Sequence, residues 1–379
     1  MNLAPSEERD ELRQAVRSFL AAHSRETDVR RLMETSEGYD REQWARLAGE
    51  LGLTGLCIPA EYGGSDATFA EVGVVLEEMG RALTCAPYLS TVVLATGALL
   101  CIDDEAARKD HLPGIAAGET IATVAVVEES GRWDPADVAT TATRGAVGWE
   151  LHGTKMFVID GHIADLLLVA ARTGDGEGSA VSLFAVDGTA PGLTRAAMRT
   201  LDLTRRQARL DLDAVPGRLV GPEGGAGPTL EHLGYLAAIA LACEQVGGAA
   251  RVLETAVAYA RTRVQFGRPI GQFQAIKHRC ADMALELDAA RTALAHGLWA
   301  AAASDPELPV AASIAKIRCS ECFAFAAAEN VQIHGGIGFS WEHSAHLYFR
   351  RATSNALMFG DPSYHREQLV RQLETAGRL

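Results

Sequence analysis

The chain has 379 residues, of which 48% are apolar and 22% charged, an ordinary globular composition with enough apolar material for two or three domains. A net charge of −14 excludes the basic face that nucleic-acid binders need and disfavours an anionic membrane surface. The longest run of small and apolar residues, Leu233 to Cys243, is eleven residues and too short to cross a bilayer core. The N-terminus, MNLAPSEERDELRQ, lacks the basic-then-apolar order of a signal peptide. The expectation is a cytoplasmic protein with no membrane span and no nucleic-acid partner.

Residues 1–118 read as an N-terminal helical domain. Ser6 is placed to cap a first helix carrying Val16, Phe19 and Leu20, with Glu7 and Glu8 in the first turn where the helix dipole favours anions. Trp44, Leu47 and Leu51 mark a second helix ended by Gly52, and the Pro- and Gly-punctuated segment 58–66 reads as a loop. Further helices are predicted from about Phe69 to Arg81 and from about Leu89 to Leu100. The texture then changes: IATVAVV (121–127), KMFVID (155–160), DLLLVAAR (165–172) and VSLFAVD (181–187) are short strand-like runs separated by turn residues. They predict a middle antiparallel β-domain over 119–227, in a small barrel or sandwich. A Gly-rich turn at 173–179 reads as a mobile loop. The segment 228–379 returns to long helical patterns, about Thr229–Arg263, Phe273–Ala303 and Pro309–Gln332, with a last helical region after HGGIG. The fold class is therefore α+β multidomain, ending in a C-terminal helical bundle.

The seven cysteines are irregularly spaced and read as reduced thiols. Cys319 and Cys322 form a C-x-x-C inside an Ala-rich helical stretch with no second pair. His343 and His346 flank no third convergent ligand. No metal site is expected. Only four lysines occur: Lys109, Lys155, Lys277 and Lys316.

Two motifs carry chemistry. The first is RTRVQFGRPIGQFQAIKHRCADM, residues 261–283, and the second is VQIHGGIGF, residues 331–339. Arg263 offers a planar fork for a pyrophosphate. Gln265 can donate to and accept from an adenosine moiety, and Phe266 supplies an apolar wall. Gly335 and Gly336 lack Cβ atoms, so backbone N–H groups can approach a phosphate closely. Taken singly, each residue is also explained by a helix end and an ordinary Gly turn.

Together these motifs, the GTKMFVIDG run at 153–161, the length and the helical–β–helical order resemble the acyl-CoA dehydrogenase family over essentially the whole chain. The resemblance implies that Arg263, Gln265, Phe266, Gln332, Gly335 and Gly336 hold the ADP half of an FAD seated mainly on a neighbouring subunit, in a C-terminal four-helix bundle. It implies an oligomer, an acyl-CoA substrate and an electron-transfer flavoprotein as acceptor.

Other positions depart from the family pattern. The segment that usually reads TEPxAGSD is VEESGRWD (127–134), with Trp133 in place of the small serine. The usual WIT is FVI (157–159). Phe157 can still cover the flavin ring, whereas Ile159 has no hydroxyl to donate. The α-proton is normally taken by a carboxylate whose pKa is tuned by a partly dry site. Phe359 and Ala237 occupy the two positions where the family places that base. Glu244 lies two helical turns after Ala237 on a face of small residues, and is either a base facing a ligand cavity or a buried acid paired with a distant arginine. Asp361, beside Pro362, is either a second candidate or a turn cap. The small residues from Leu233 to Ala250 fit a roomy pocket or close helix packing.

Three functions are compatible with this pattern. One is a subunit of a heteromeric flavin-dependent dehydrogenase, of α2β2 type with a related chain, acting on fatty or steroid side-chain acyl-CoAs. The second is a self-sufficient homo-oligomer using Glu244. The third is a non-redox acyl-CoA- or protein-binding scaffold.

Overall fold

A computed structural model describes residues 6–145, 148–174 and 180–375. Most of the expected Gly-rich turn, 175–179, lies outside the described residues.

The N-terminal segment forms α1 (Glu7–His23), α2 (Glu26–Met33), α3 (Arg41–Gly49), α4 (Phe69–Ala82), α5 (Thr96–Cys101) and α6 (Glu105–Ala116). Ser6 stands at the N-cap of α1, but its side chain makes no capping bond there; Asp40 does cap α3, accepting from Glu42 and Gln43 N–H. The turn leading into α5, Leu89–Ala95, is wound as a π-helix and wholly buried. The sequence missed α2 and α6. α2 is only eight residues long, and α6 carries Pro113 within it, which breaks the helical signature.

The strands are β1 (Ala122–Ala125), β2 (Thr141–Gly145), β3 (Gly148–Ile159), β4 (Leu166–Thr173), β5 (Ala180–Asp187), β6 (Leu193–Ala197) and β7 (Gln207–Val220). Pairing runs β4–β2–β3–β7–β5 and returns to β4, so five strands close on themselves, with β1 added to β4 and β6 to β7. Closure removes most of the exposed edge. Most pairs are antiparallel, as expected, but β4 runs parallel to both β1 and β2. Its run LLLVAA is buried at every position, the pattern of a strand covered on both faces.

The C-terminal third forms α7 (Gly227–Thr262), a hairpin of β8 (Val264–Gln265) and β9 (Arg268–Pro269), α8 (Gln274–Ala302), α9 (Leu308–His334), α10 (Gly336–Phe339), α11 (Ala345–Leu357) and α12 (Pro362–Thr375). By length and composition α7 would pass for a membrane span, but 89% of its apolar window is buried within the protein. It is a core helix.

Spatial grouping differs from chain order. One compact unit gathers residues 1–30, 69–84 and 238–379; the other gathers 31–68 and 85–237. In the first, α4 crosses α7 at glycines. A Cβ on Gly80 would come within 2.2 Å of the Glu244 carbonyl oxygen, and one on Gly247 within 1.8 Å of that of Glu77. The small residues at this crossing are therefore spent on backbone contact.

Candidate functional site

The first unit brings the two motifs together through an aromatic stack. Tyr259, one turn before the end of α7, stacks on His334, the last residue of α9, with ring centroids 4.2 Å apart. His334 in turn meets His343 at 4.3 Å. The Arg263 N–H donates to the Tyr259 carbonyl at 2.8 Å, and Gly335 follows His334 directly, so the stack fixes both motifs from beneath. Burial lowers the pKa of His334, which favours its neutral form.

The R-x-x-F-G motif folds as the β8–β9 hairpin, with Phe266 and Gly267 as its two turn residues. Their φ values of +52° and +75° are those of a tight hairpin turn whose twist matches the strands. Glycine accepts this conformation freely; a phenylalanine in it is strained. Phe266 is 91% exposed, so no burial repays that strain within the protomer. Arg263, Gln265, Gln332, Gly335 and Gly336 are also exposed. Gly335 has a φ of +63°, and a Cβ on Gly335 or Gly336 would meet nothing within 4 Å. An open guanidinium, two amides, an aromatic wall and a bare turn on one surface fit the adenylate half of a dinucleotide.

The interior of this unit holds the candidate acids. Glu244 is only 4% exposed, and its Oε2 accepts from Asn355 Nδ2 at 3.2 Å and from the buried Arg351 guanidinium at 3.4 Å. This is the arrangement of a buried acid paired with a distant arginine, not of a carboxylate open to a ligand. Asp361 accepts from the Tyr364 N–H at 2.8 Å and caps the start of α12. Phe359, which the resemblance matches to a base position, has a φ of +54°, and its side chain cannot take a proton. The helix end that leads into this turn is held by Lys316, which has no exposure. Lys316 Nζ donates to the carbonyls of Asn355 (3.0 Å) and Ala356 (3.1 Å) and to Ser320 Oγ (3.2 Å). The carbonyls belong to the last turn of α11, where intrahelical partners run out. Burial pushes the Lys316 ammonium down to about 7.

The second unit carries the other half of the pattern. Between Lys155 and Val158 the β3–β7 register slips, and Phe157 takes a φ of +55° with 41% of its surface exposed. Gly131 lies opposite, where an added Cβ would stand 4.0 Å from the Phe157 ring. Trp133 is turned to structural use: its Nε1 donates to the Leu230 carbonyl in the first turn of α7 at 3.2 Å. Ile159 and Ala237 are buried.

Both cysteines of the C-x-x-C are buried in α9 with pKa values raised by burial, Cys322 to about 12, so they are poor thiolates. Among the described residues no group of three potential ligands gathers to hold a metal ion. Sequence reasoning passed over Tyr259, His334, Arg351, Glu128 and the two buried lysines. The signal available was Lys155 and Lys316 themselves, rare residues set in apolar surroundings.

Family models match three successive stretches: "Acyl-CoA dehydrogenase, N-terminal domain" over residues 6–119, "middle domain" over 123–214 and "C-terminal domain" over 232–374. The chain is 36% identical over 373 residues to "Acyl-CoA dehydrogenase IpdE2" of Mycobacterium tuberculosis, covering 98% of each. Among solved structures it is similar to a variant of the Tcur3481-Tcur3483 steroid ACAD (TM-score 0.87, 32% identity, 98% and 99% of the two chains). It is also similar to the ChsE4-ChsE5 complex from Mycobacterium tuberculosis (TM-score 0.88, 29% identity, 99% of each). The protein belongs to the acyl-CoA dehydrogenase family, whose members are FAD flavoproteins and oxidoreductases.

Proposed function

We propose that the protein takes part in FAD-dependent α,β-dehydrogenation of an acyl-CoA thioester as one subunit of a heteromeric enzyme. One contrast carries this reading. The surface suited to an adenylate group is present and exposed, while both family base positions hold apolar residues and the acid two helical turns beyond one of them, Glu244, is committed to Arg351 and Asn355. The similarity to a steroid dehydrogenase and to a two-subunit complex supports an unlike partner and a bulky acyl group.

In this reading Arg263, Gln265 and Gln332 bind the pyrophosphate and adenosine of FAD, Phe266 walls them in, and Gly335 and Gly336 let the backbone approach. Phe157 covers the ring of a separate flavin, one seated on this chain's own middle domain. When bound, the flavin would supply the acceptor for the β-hydride, with an electron-transfer flavoprotein as the onward acceptor. The α-proton goes to a carboxylate of the partner chain. Glu244 serves the fold of its own bundle.

Absorbance spectra and mass measurements, on the chain alone and co-expressed with a related subunit, test this. A mixed assembly that holds FAD and bleaches on adding an acyl-CoA is expected. A homo-oligomer with one FAD per chain and full turnover would refute the unlike partner. A colourless protein that refuses FAD in either preparation would leave the scaffold reading. In the mixed assembly Glu244→Gln should leave α-proton exchange in place; exchange abolished in a folded variant would return the base to Glu244.

A further inference from the structure

Two of the four lysines have no exposure, and Lys155 lies where the two segments that depart from the family pattern meet. Its Nζ donates to Glu128 Oε1 at 2.7 Å and to the Val126 carbonyl at 3.1 Å. Glu128 gathers more than the lysine. Its Oε1 also accepts from the Thr140 N–H (2.9 Å) and Oγ1 (2.7 Å), and its Oε2 from the Ala139 N–H (2.9 Å). The one carboxylate thus ties together the segment after β1, the residues leading into β2, and β3. Close packing enforces the arrangement: a Cβ on Gly153, two residues before Lys155, would come within 2.6 Å of Thr140 Oγ1.

The two segments bound in this way are 127–134 and 157–159. The Met156 N–H also donates to the Val127 carbonyl at 2.8 Å. Immediately beyond, β3 slips in register and Phe157 adopts its strained backbone. A left-handed non-glycine residue persists only where the surroundings over-determine it. Lys155, anchored two residues away, restrains that turn together with the Met156–Val127 bond.

We propose that Lys155 and Glu128 are a charged positioning pair that sets Phe157 and the 127–134 segment in the arrangement that receives the flavin ring. Lys155 itself touches neither cofactor nor substrate. The inference rests on the reading above, in which Phe157 covers the ring. Burial lowers the Lys155 ammonium to about 8. Despite its own burial, the Glu128 carboxyl is held below its usual range by the neighbouring ammonium and the two Thr140 hydrogen bonds. The groups facing the ammonium are Glu128, the Val126 carbonyl and, through the same carboxylate, Thr140. Raising the pH past 8 removes the positive charge and loosens the pair.

The test is binding by the full-length chain in its native assembly, stripped of flavin and titrated with FAD and separately with ADP, which probes the Arg263 surface alone. The variants are Lys155→Met, Lys155→Arg and Glu128→Gln. Losing a charge-assisted bond should weaken FAD binding about tenfold in Lys155→Met and in Glu128→Gln, with ADP binding unchanged. Wild-type affinity for FAD should fall between about pH 7 and 9.5, and Lys155→Arg, which keeps its charge, should not follow that fall. Amide hydrogen exchange of the flavin-free protein should quicken in 127–134 and 156–159 of the charge-removing variants and stay unchanged in 263–273. Unaltered FAD affinity and exchange in Lys155→Met overturns the inference while leaving the assigned function standing. Equal losses of FAD and ADP in Glu128→Gln, which keeps the side-chain shape, overturn it as well. A wild-type protein that binds ADP but no FAD overturns the functional reading, and this inference with it.

Discussion

The exposed motif surface of the helical unit and the interior of the same unit have opposite logic. On the surface, Arg263, Gln265, Phe266, Gln332, Gly335 and Gly336 are accessible, and Phe266 bears a strained backbone with no burial to offset it. Gly335 answers a backbone need at the end of α9, with a φ of +63°, and the Phe266 ring meets Phe273 edge-on, but the Arg263, Gln265 and Gln332 side chains lie open to solvent. In the interior, Glu244 holds Arg351 and Asn355, and Asp361 caps a helix. A polar residue explained by its neighbours is weak ground for assigning chemistry. A residue that folding leaves unexplained is stronger ground.

The largest effect expected from breaking this contrast is at Glu244. Glu244→Ala removes the negative charge beside a buried guanidinium and should cost about 3–5 kcal/mol of stability. Urea denaturation of the flavin-free protein reads this directly. A loss below about 1 kcal/mol would mean that the pair is not structural and would reopen the catalytic reading. Next comes Arg263→Ala, where the loss of a charge-assisted contact should weaken FAD or ADP binding on the order of tenfold to a hundredfold while stability stays within about 0.5 kcal/mol. An equal loss of stability would make the arginine a structural residue and erase the distinction between surface and interior.

Lys316 sharpens the interior side through pH. Its folded pKa of about 7 lies below the unfolded value of 10.5, so between those values the unfolded chain binds more protons and stability rises with pH. That contribution is fully present above 10.5 and is lost as pH falls toward 7. Lys316→Met removes the titrating group, so the urea midpoint of the wild type minus that of the variant should climb from about pH 7 to 10; parallel curves would contradict it. The smallest effect expected is at the hairpin. Phe266→Gly relieves a left-handed phenylalanine and should gain up to about 1 kcal/mol in stability while weakening adenylate binding. Stability and binding that fall together would show that the ring's edge contact with Phe273 outweighs the backbone strain.

The long periodic elements were legible from the sequence because each supplies its own signal. α7, α8 and α9 repeat apolar residues over many turns, and β4 and β5 are bounded by turn residues. β7 was missed although it is 14 residues long, because Pro216 and alternating charges break its apolar pattern. The parallel pairing of β4 could not be read, since register and direction depend on strands far apart in sequence.

The candidate site divides in the same way. The amino-acid order alone determined the two motifs, because chemistry resides in residue type and spacing, and it determined that Phe359 and Ala237 carry no acid. Only the tertiary structure decided that Tyr259 and His334 join those motifs, that Glu244 meets Arg351 across more than a hundred residues, and that Lys155 closes on Glu128. The reason is physical. A side chain's type is a local fact, but its solvation and its partner exist only once distant segments have packed against one another.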